Sequence, residues 1–137
     1  GIPRFPATTA SPEYNARARI AVEYVLSQVG GTYSMNAQPP RTWDCSKLTA
    51  YAWGRAGVSL VAYSFTQWDQ TQRINQEDLQ PGDLLFYFKK GAHHVSMYVG
   101  NGMAVSASNP GVGVELQTDP FGGWYGERYS GAGRVRI

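Results

Sequence analysis

The sequence predicts an α+β domain in which helices come first and an antiparallel sheet follows. Three observations carry that reading. Apolar residues recur at three- and four-residue spacing between Ala18 and Val29, and again at Leu48, Ala52 and Ala56. Beyond Pro81-Gly82 the pattern turns to short β-like runs, with Gly100-Asn101-Gly102 as a hairpin signal between two of them. Helical patterns followed by strands, without βαβ alternation, define the class.

Residues 1–11 (GIPRFPATTAS) read as an extended Pro-rich linker or arm, and residues 12–137 as the folded domain. Ser11-Pro12-Glu13 opens a helix, with Ser as N-cap, Pro at the first position and an acid in the first turn. Gly30-Gly31 stops it, which predicts a helix over 12–29. Residues 31–43 read as a loop around Pro39-Pro40. A second helix is expected over 45–56, capped by Asp44 and stopped by Gly57, and a third over 64–73, capped by Ser64. Residues 84–88 (LLFYF) are apolar on both faces and predict a central strand. Residues 94–99 and 103–107 form the hairpin, while 112–116 and 134–137 are weaker strands on either side of a Gly- and aromatic-rich loop over 117–131.

Composition removes several function classes. The chain has 137 residues, enough for one domain, and 12 Lys and Arg against 10 Asp and Glu leave a net charge of +2. That excess is too thin for a nucleic-acid-binding face. No apolar run reaches membrane-spanning length, and no basic segment leads into an apolar one as in a signal peptide. The chain begins with Gly1, which reads as a processed product or an excised domain. The only cysteine, Cys45, excludes an internal disulfide. Together with His93 and His94 it falls short of the roughly four ligands of a structural zinc site, so no metal or cofactor is expected.

Cys45 stands at the expected start of the second helix. Unpaired amides and the helix dipole there favour an anion, so the thiol is expected to be more acidic than a free one, with Lys47 adding positive charge. The same amides suit a developing oxyanion. An inert buried cysteine at a helix start is the alternative. A nucleophilic thiol needs a base. In the strand 94–99, His94 shares the more polar face with Ser96 and Tyr98, whereas His93 reads as a loop residue.

Three blocks in order, DCSKL at 44–48, PGDLLF at 81–86 and HVSMYVGNG at 94–102, resemble the NlpC/p60 family of cell-wall cysteine peptidases. Ser64 and Gln67 match the family's S-x-x-Q, and the closing GRVRI fits its last strand. The resemblance covers about residues 13–137. It implies a papain-like fold, with N-terminal helices packed on an antiparallel sheet of about five or six strands. It also implies Cys45 as nucleophile, His94 as general base, and Tyr33, Asp44 and Ser46 as residues lining the substrate cleft. The implied substrate is an amide in the peptidoglycan stem peptide, often γ-D-glutamyl to diaminopimelate, met outside the cytoplasm by a protein with no cofactor and, by default, monomeric.

The chain departs from the family in places. The polar third residue, commonly His, falls at Ser106. A three-residue hairpin loop would pair Ser96 with Ser106, set Ser106 one diagonal from His94 and place Ser108 opposite His94; a two-residue loop would put Asn109 opposite instead. A serine can orient the imidazole but carries no charge to stabilise imidazolium. Lys47 replaces a family glycine, and the segments 33–37 and 60–63 differ from the family's Tyr-x-Trp-Gly-Gly and Leu-Pro-Arg, which bears on the bond cleaved. The 121–126 loop (FGGWYG) reads as a packing loop, with a binding lid as the alternative. Two other functions stay open: a catalytically silent wall-binding module, and a thiol acyltransferase or toxin acting on another amide.

Overall fold

A computed structural model describes residues 4–6, 9–91 and 93–137. Of the expected arm, residues 1–3 and 7–8 lie outside the described residues. Next to them, Arg4 pairs with Glu77 at 2.5 Å, and the Phe5 amide donates to Asn75 Oδ1 at 2.8 Å.

Helix α1 spans Pro12–Ser27. Ser11 caps it by accepting from the Tyr14 amide, as the Ser-Pro-Glu signal predicts. It ends two residues before the expected limit, and its buried stripe is Tyr14, Ala18, Ala21, Val22 and Val25. Leu26 and Val29 are exposed instead. The following segment is more ordered than a loop: β1 (Thr32–Tyr33) and β2 (Thr42–Trp43) pair in parallel. Helix α2 (Cys45–Arg55) then starts at the Asp44 cap, and α1 and α2 pack together.

Helix α3 covers only Ser64–Gln70, and its N-cap is Tyr63 rather than Ser64, with no side-chain cap bond. Residues expected to extend it form strand β3 (Thr71–Ile74). Thr71 and Ile74 are β-branched and buried, which suits a pleated surface. Strand β4 (Leu84–Tyr87) is buried at every position. The hairpin β5 (His94–Gly100) and β6 (Met103–Asn109) follows, then β7 (Gly113–Gln117), a short α4 (Gly123–Arg128) and β8 (Tyr129–Val135).

The main sheet is antiparallel, with six strands in the order β3-β8-β4-β5-β6-β7. This is the expected α+β architecture, with β4 central. Strand β8 is longer than expected and begins within the supposed loop. Its glycines misled the sequence reading for a physical reason: a Cβ at Gly133 would come within 2.1 Å of Thr71 Oγ1, so close pairing with β3 requires glycine.

The hairpin combines both registers considered above. Met97 pairs with Val105 and Tyr98 with Ala104, the three-residue-loop register, yet Gly100 pairs with Met103 across a bulge at Val99. Asn101 and Gly102, at φ 55° and 74°, make the tight turn.

One sheet face, with Leu84, Phe86, Val95, Met97, Val105, Ala107 and Val114, packs under α1 and α2. The other carries Leu85, Tyr87, Ala104, Ala132 and Ile74, covered by Leu79, Phe121, Tyr125 and Tyr129. Among the described residues no helix is long and apolar enough to cross a membrane.

Candidate active site

Cys45 is placed by the residues on either side of it. Trp43 is fully buried, its ring edge-on to Tyr24 and Tyr51, which pins the chain entering α2. Asp44 is extended and its Oδ1 accepts from the Lys47 amide at 2.8 Å, so the helix begins at Cys45. The backbone amides of Cys45 and Ser46 at the helix start, and that of Val95 on β5, are directed at the thiol. The same region of α2 is tied down by a residue whose role the sequence reading missed. Gln67 is fully buried; its Nε2 donates to the carbonyls of Ser46 (3.0 Å) and Val61 (2.8 Å), and its Oε1 accepts from Thr49 Oγ1 at 2.7 Å. The S-x-x-Q spacing held the signal: the glutamine brackets the first turn of the cysteine helix from α3.

His94 opens β5, next to Val95, and is 6% exposed. Its ring lies 5.4 Å from those of Tyr87 and Tyr125. Its Nε2 is 2.8 Å from Ser106 Oγ, and Ser108 Oγ donates to Ser106 Oγ at 3.0 Å. The diagonal reach expected for Ser106 is therefore realised, and Ser108 joins as a second hydroxyl. With Nε2 engaged, Nδ1 is the ring nitrogen left to exchange a proton.

Tyr33 ends β1 beside the thiol: burial raises its phenol pKa first, and the nearby Cys45 and Asp44 raise it further. Ser46 is buried, its hydroxyl donating to Asp44 Oδ1 at 3.3 Å. Lys47 does not sit beside the thiol as expected. Its ammonium turns back to donate to the Ala37 carbonyl at 3.0 Å.

The expected acidity of the thiol is also corrected. Burial pushes the Cys45 pKa up, with help from the Asp44 charge, and outweighs the three amides that pull it down. Burial likewise lowers the His94 imidazole to about 4, against an ordinary 6.5. The resting pair is a neutral thiol and a neutral imidazole.

Between pH 6.5 and 4 the unfolded chain binds a proton at His94 that the folded site refuses. Stability is therefore full above that window and falls by up to about 3 kcal/mol as pH drops through it. Urea unfolding at pH 7 and pH 4.5 reads this loss, and His94→Gln is expected to reduce it. An unchanged pH dependence in His94→Gln contradicts the assignment.

The sequence model of the NlpC/P60 family matches residues 30–134, a span that contains the whole cysteine–histidine arrangement. The chain belongs to the NlpC/P60 family. Among proteins similar to this NlpC/P60 domain, "Probable endopeptidase p60" of Listeria monocytogenes is 38% identical over 108 residues, covering 78% of this chain and 22% of that protein. "Peptidoglycan endopeptidase RipA" of Mycobacterium tuberculosis is 33% identical over 138 residues, covering 88% of this chain and 29% of that protein. The chain thus spans less than a third of these relatives. A solved NlpC/P60 family protein from Bacillus cereus superposes with a TM-score of 0.80 at 26% identity, over 94% of this chain and 41% of its own. The P60 domain of a Mycobacterium avium subspecies paratuberculosis antigen gives 0.75 at 25% identity, over 89% and 96%.

The family's Pro-Gly-Asp block also gains a physical meaning here. Asp83 is fully buried; it accepts from Arg134 Nε (3.0 Å) and Nη2 (2.9 Å), from the Tyr14 hydroxyl (2.6 Å) and from the Gln80 amide (2.8 Å). One carboxylate thus joins α1, the entry to β4 and β8. Among the described residues no cluster of three His, Cys, Asp or Glu has metal-site geometry.

Proposed function

We propose that this NlpC/P60 domain is a cysteine peptidase that cleaves an amide in the stem peptide of peptidoglycan, the γ-D-glutamyl to diaminopimelate bond in first place. The observation that carries this reading is His94, hydrogen-bonded to Ser106 of the neighbouring strand, directly before the Val95 amide that points at Cys45. The endopeptidase names of its relatives agree with it.

In the proposed cycle Cys45 Sγ attacks the amide carbonyl carbon while its proton passes to His94 Nδ1. The oxyanion is held by the amides at the start of α2, where the helix dipole favours negative charge. Collapse breaks the C–N bond, and the amine leaves with the proton from His94. Water then attacks the thioester, gives its proton to His94 and releases a carboxylic acid and the free thiol. Because thiol and imidazole both start neutral, proton transfer accompanies attack, and the acid limb of kcat/KM lies below the ordinary imidazole value of about 6.5.

Ser106 acts as the positioning residue, accepting from Nε2–H so that Nδ1 is free. Ser106→Ala removes a neutral hydrogen bond and is expected to lower kcat/KM by about two- to tenfold, without loss of fold. An unchanged rate sinks the role. Tyr33 and Asp44 line the cleft, and the buried Ser46 contributes by fixing the Asp44 carboxylate. The working location is extracytoplasmic, where peptidoglycan lies.

Digestion of purified peptidoglycan by wild type and Cys45→Ala, with mass analysis of the fragments, tests the reading. New amine termini made only by wild type support it, and their masses identify the bond. Binding by both proteins with cleavage by neither replaces it with a silent wall-binding module.

A further inference from the structure

A cavity of about 550 Å³ lies at the β3 edge of the main sheet, and none of Cys45, His94 and Ser106 lines it. Its apolar walls are Phe5, Trp68, Ile74, Tyr129 and Ala132. A space of that size suits a small molecule. One wall comes from the arm, and it is held in place. Asn75 grips the Phe5 backbone on both sides, its Oδ1 accepting from the amide at 2.8 Å and its Nδ2 donating to the carbonyl. Arg4 pairs with Glu77 on the same rim.

One polar group of this cavity is unmet. Arg73 lines it, with its guanidinium 3.7 Å from the Trp68 ring centroid. Nη2 donates to the Trp68 and Thr71 carbonyls and to Thr71 Oγ1. Nη1 is closed off from solvent and has no hydrogen-bond partner, and among the described residues Arg73 forms no ion pair. Burial disfavours its charge, the nearby Arg136 adds to this, and Asp69 does not make up the difference. A guanidinium nevertheless stays cationic at neutral pH. Buried donors are normally paired, so the orphaned Nη1 marks a place for an acceptor.

The surrounding charges narrow what that acceptor is. Arg4, Arg73 and Arg136 stand in and beside the cavity against Asp69 and Glu77, which leaves one cation in excess. A single excess cation matches a monoanion better than a phosphate dianion, and a neutral apolar molecule would leave the cation unmatched. We propose that this cavity is a second ligand site, separate from the thiol, that takes a small monocarboxylate with an apolar body. The carboxylate accepts from Arg73 Nη1 as the guanidinium turns on the Trp68 face, and the body lies among Phe5, Ile74, Tyr129 and Ala132.

The test is titration of the wild-type protein with 3-phenylpropionate, and with 3-phenylpropanol as the probe without charge. NMR follows the tryptophan indole N–H signals and calorimetry the affinity. The Trp68 signal, identified by its absence in Trp68→Phe, is expected to shift with the acid. The alcohol is expected to bind about tenfold more weakly, and salt to weaken only the acid. Arg73→Met keeps an apolar stem over Trp68 and is expected to bring the acid down to the affinity of the alcohol. Asp69→Asn removes the competing carboxylate and is expected to strengthen acid binding by about twofold. The Asp69 side chain is exposed and makes no hydrogen bond or ion pair among the described residues, so this variant keeps the test decisive if Arg73→Met fails to fold. A Trp68 signal that stays put, equal affinity for acid and alcohol, or acid binding unmoved by Asp69→Asn overturns the site.

Discussion

His94→Ala is expected to lower kcat/KM by about 10²- to 10⁴-fold, the range contributed by a positioned acid–base group. The size follows from the neutral resting pair. A thiol whose pKa is pushed up by burial is little ionised at neutral pH, so attack in the proposed cycle depends on transfer of its proton as the C–S bond forms. Without the imidazole neither that transfer nor protonation of the leaving amine has a donor–acceptor in place. The two groups act as one unit, so Cys45→Ala/His94→Ala is expected to be no slower than Cys45→Ala. His94→Ala also removes a buried ring flanked by the tilted rings of Tyr87 and Tyr125, so its unfolding must be measured alongside. A folded His94→Ala protein with wild-type turnover removes the imidazole from the mechanism.

Asp83→Ala is expected to carry the largest stability loss, about 3–5 kcal/mol, because it leaves the buried Arg134 guanidinium without its carboxylate. The Gln80 amide loses its acceptor in the same step, and the Tyr14 hydroxyl keeps only the long contact to the Pro81 carbonyl at 3.5 Å. The network ties α1 to the entry of β4 and to β8, so the loss spreads through both layers. Urea denaturation of Asp83→Ala, Arg134→Met and the double variant reads the coupling. The double variant should recover part of the loss, since an uncompensated charge costs more than the pair contributes. A loss below about 1 kcal/mol in Asp83→Ala, the worth of an exposed pair, contradicts this account.

The contrast between these residues shows what a sequence can and cannot make legible. The α1 cap, the Asp44 cap and the hairpin turn were readable because each rests on local chemistry within a few residues. The candidates Cys45 and His94 came from spacing and family blocks, and the Ser106 diagonal, which the His94–Ser106 contact bears out, from the pleat. Strand β3 and the first part of β8 were not, because what makes them strands is each other. Gly133 looks like a loop residue until Thr71 lies against it. Lys47 was misplaced because its ammonium bonds to Ala37, across the loop before the helix. The acidity of Cys45 was misjudged for a related reason: the helix start is visible in sequence, whereas the burial that outweighs it is a property of the assembled core. The 121–126 segment shows the same limit, since only the fold brings Trp124 and Tyr125 against Phe88 and His94.

The central claim is that Cys45 carries the acyl group. Rapid acid quench during turnover of a peptidoglycan stem peptide, followed by intact-mass analysis and peptide mapping, reads it directly because the chain has no second cysteine. The account predicts a wild-type adduct equal in mass to the acyl portion of the substrate, mapped to Cys45, lost under nucleophilic cleavage of thioesters and absent from Cys45→Ala. Product release by Cys45→Ala at the wild-type rate, with no adduct on either protein, would contradict it.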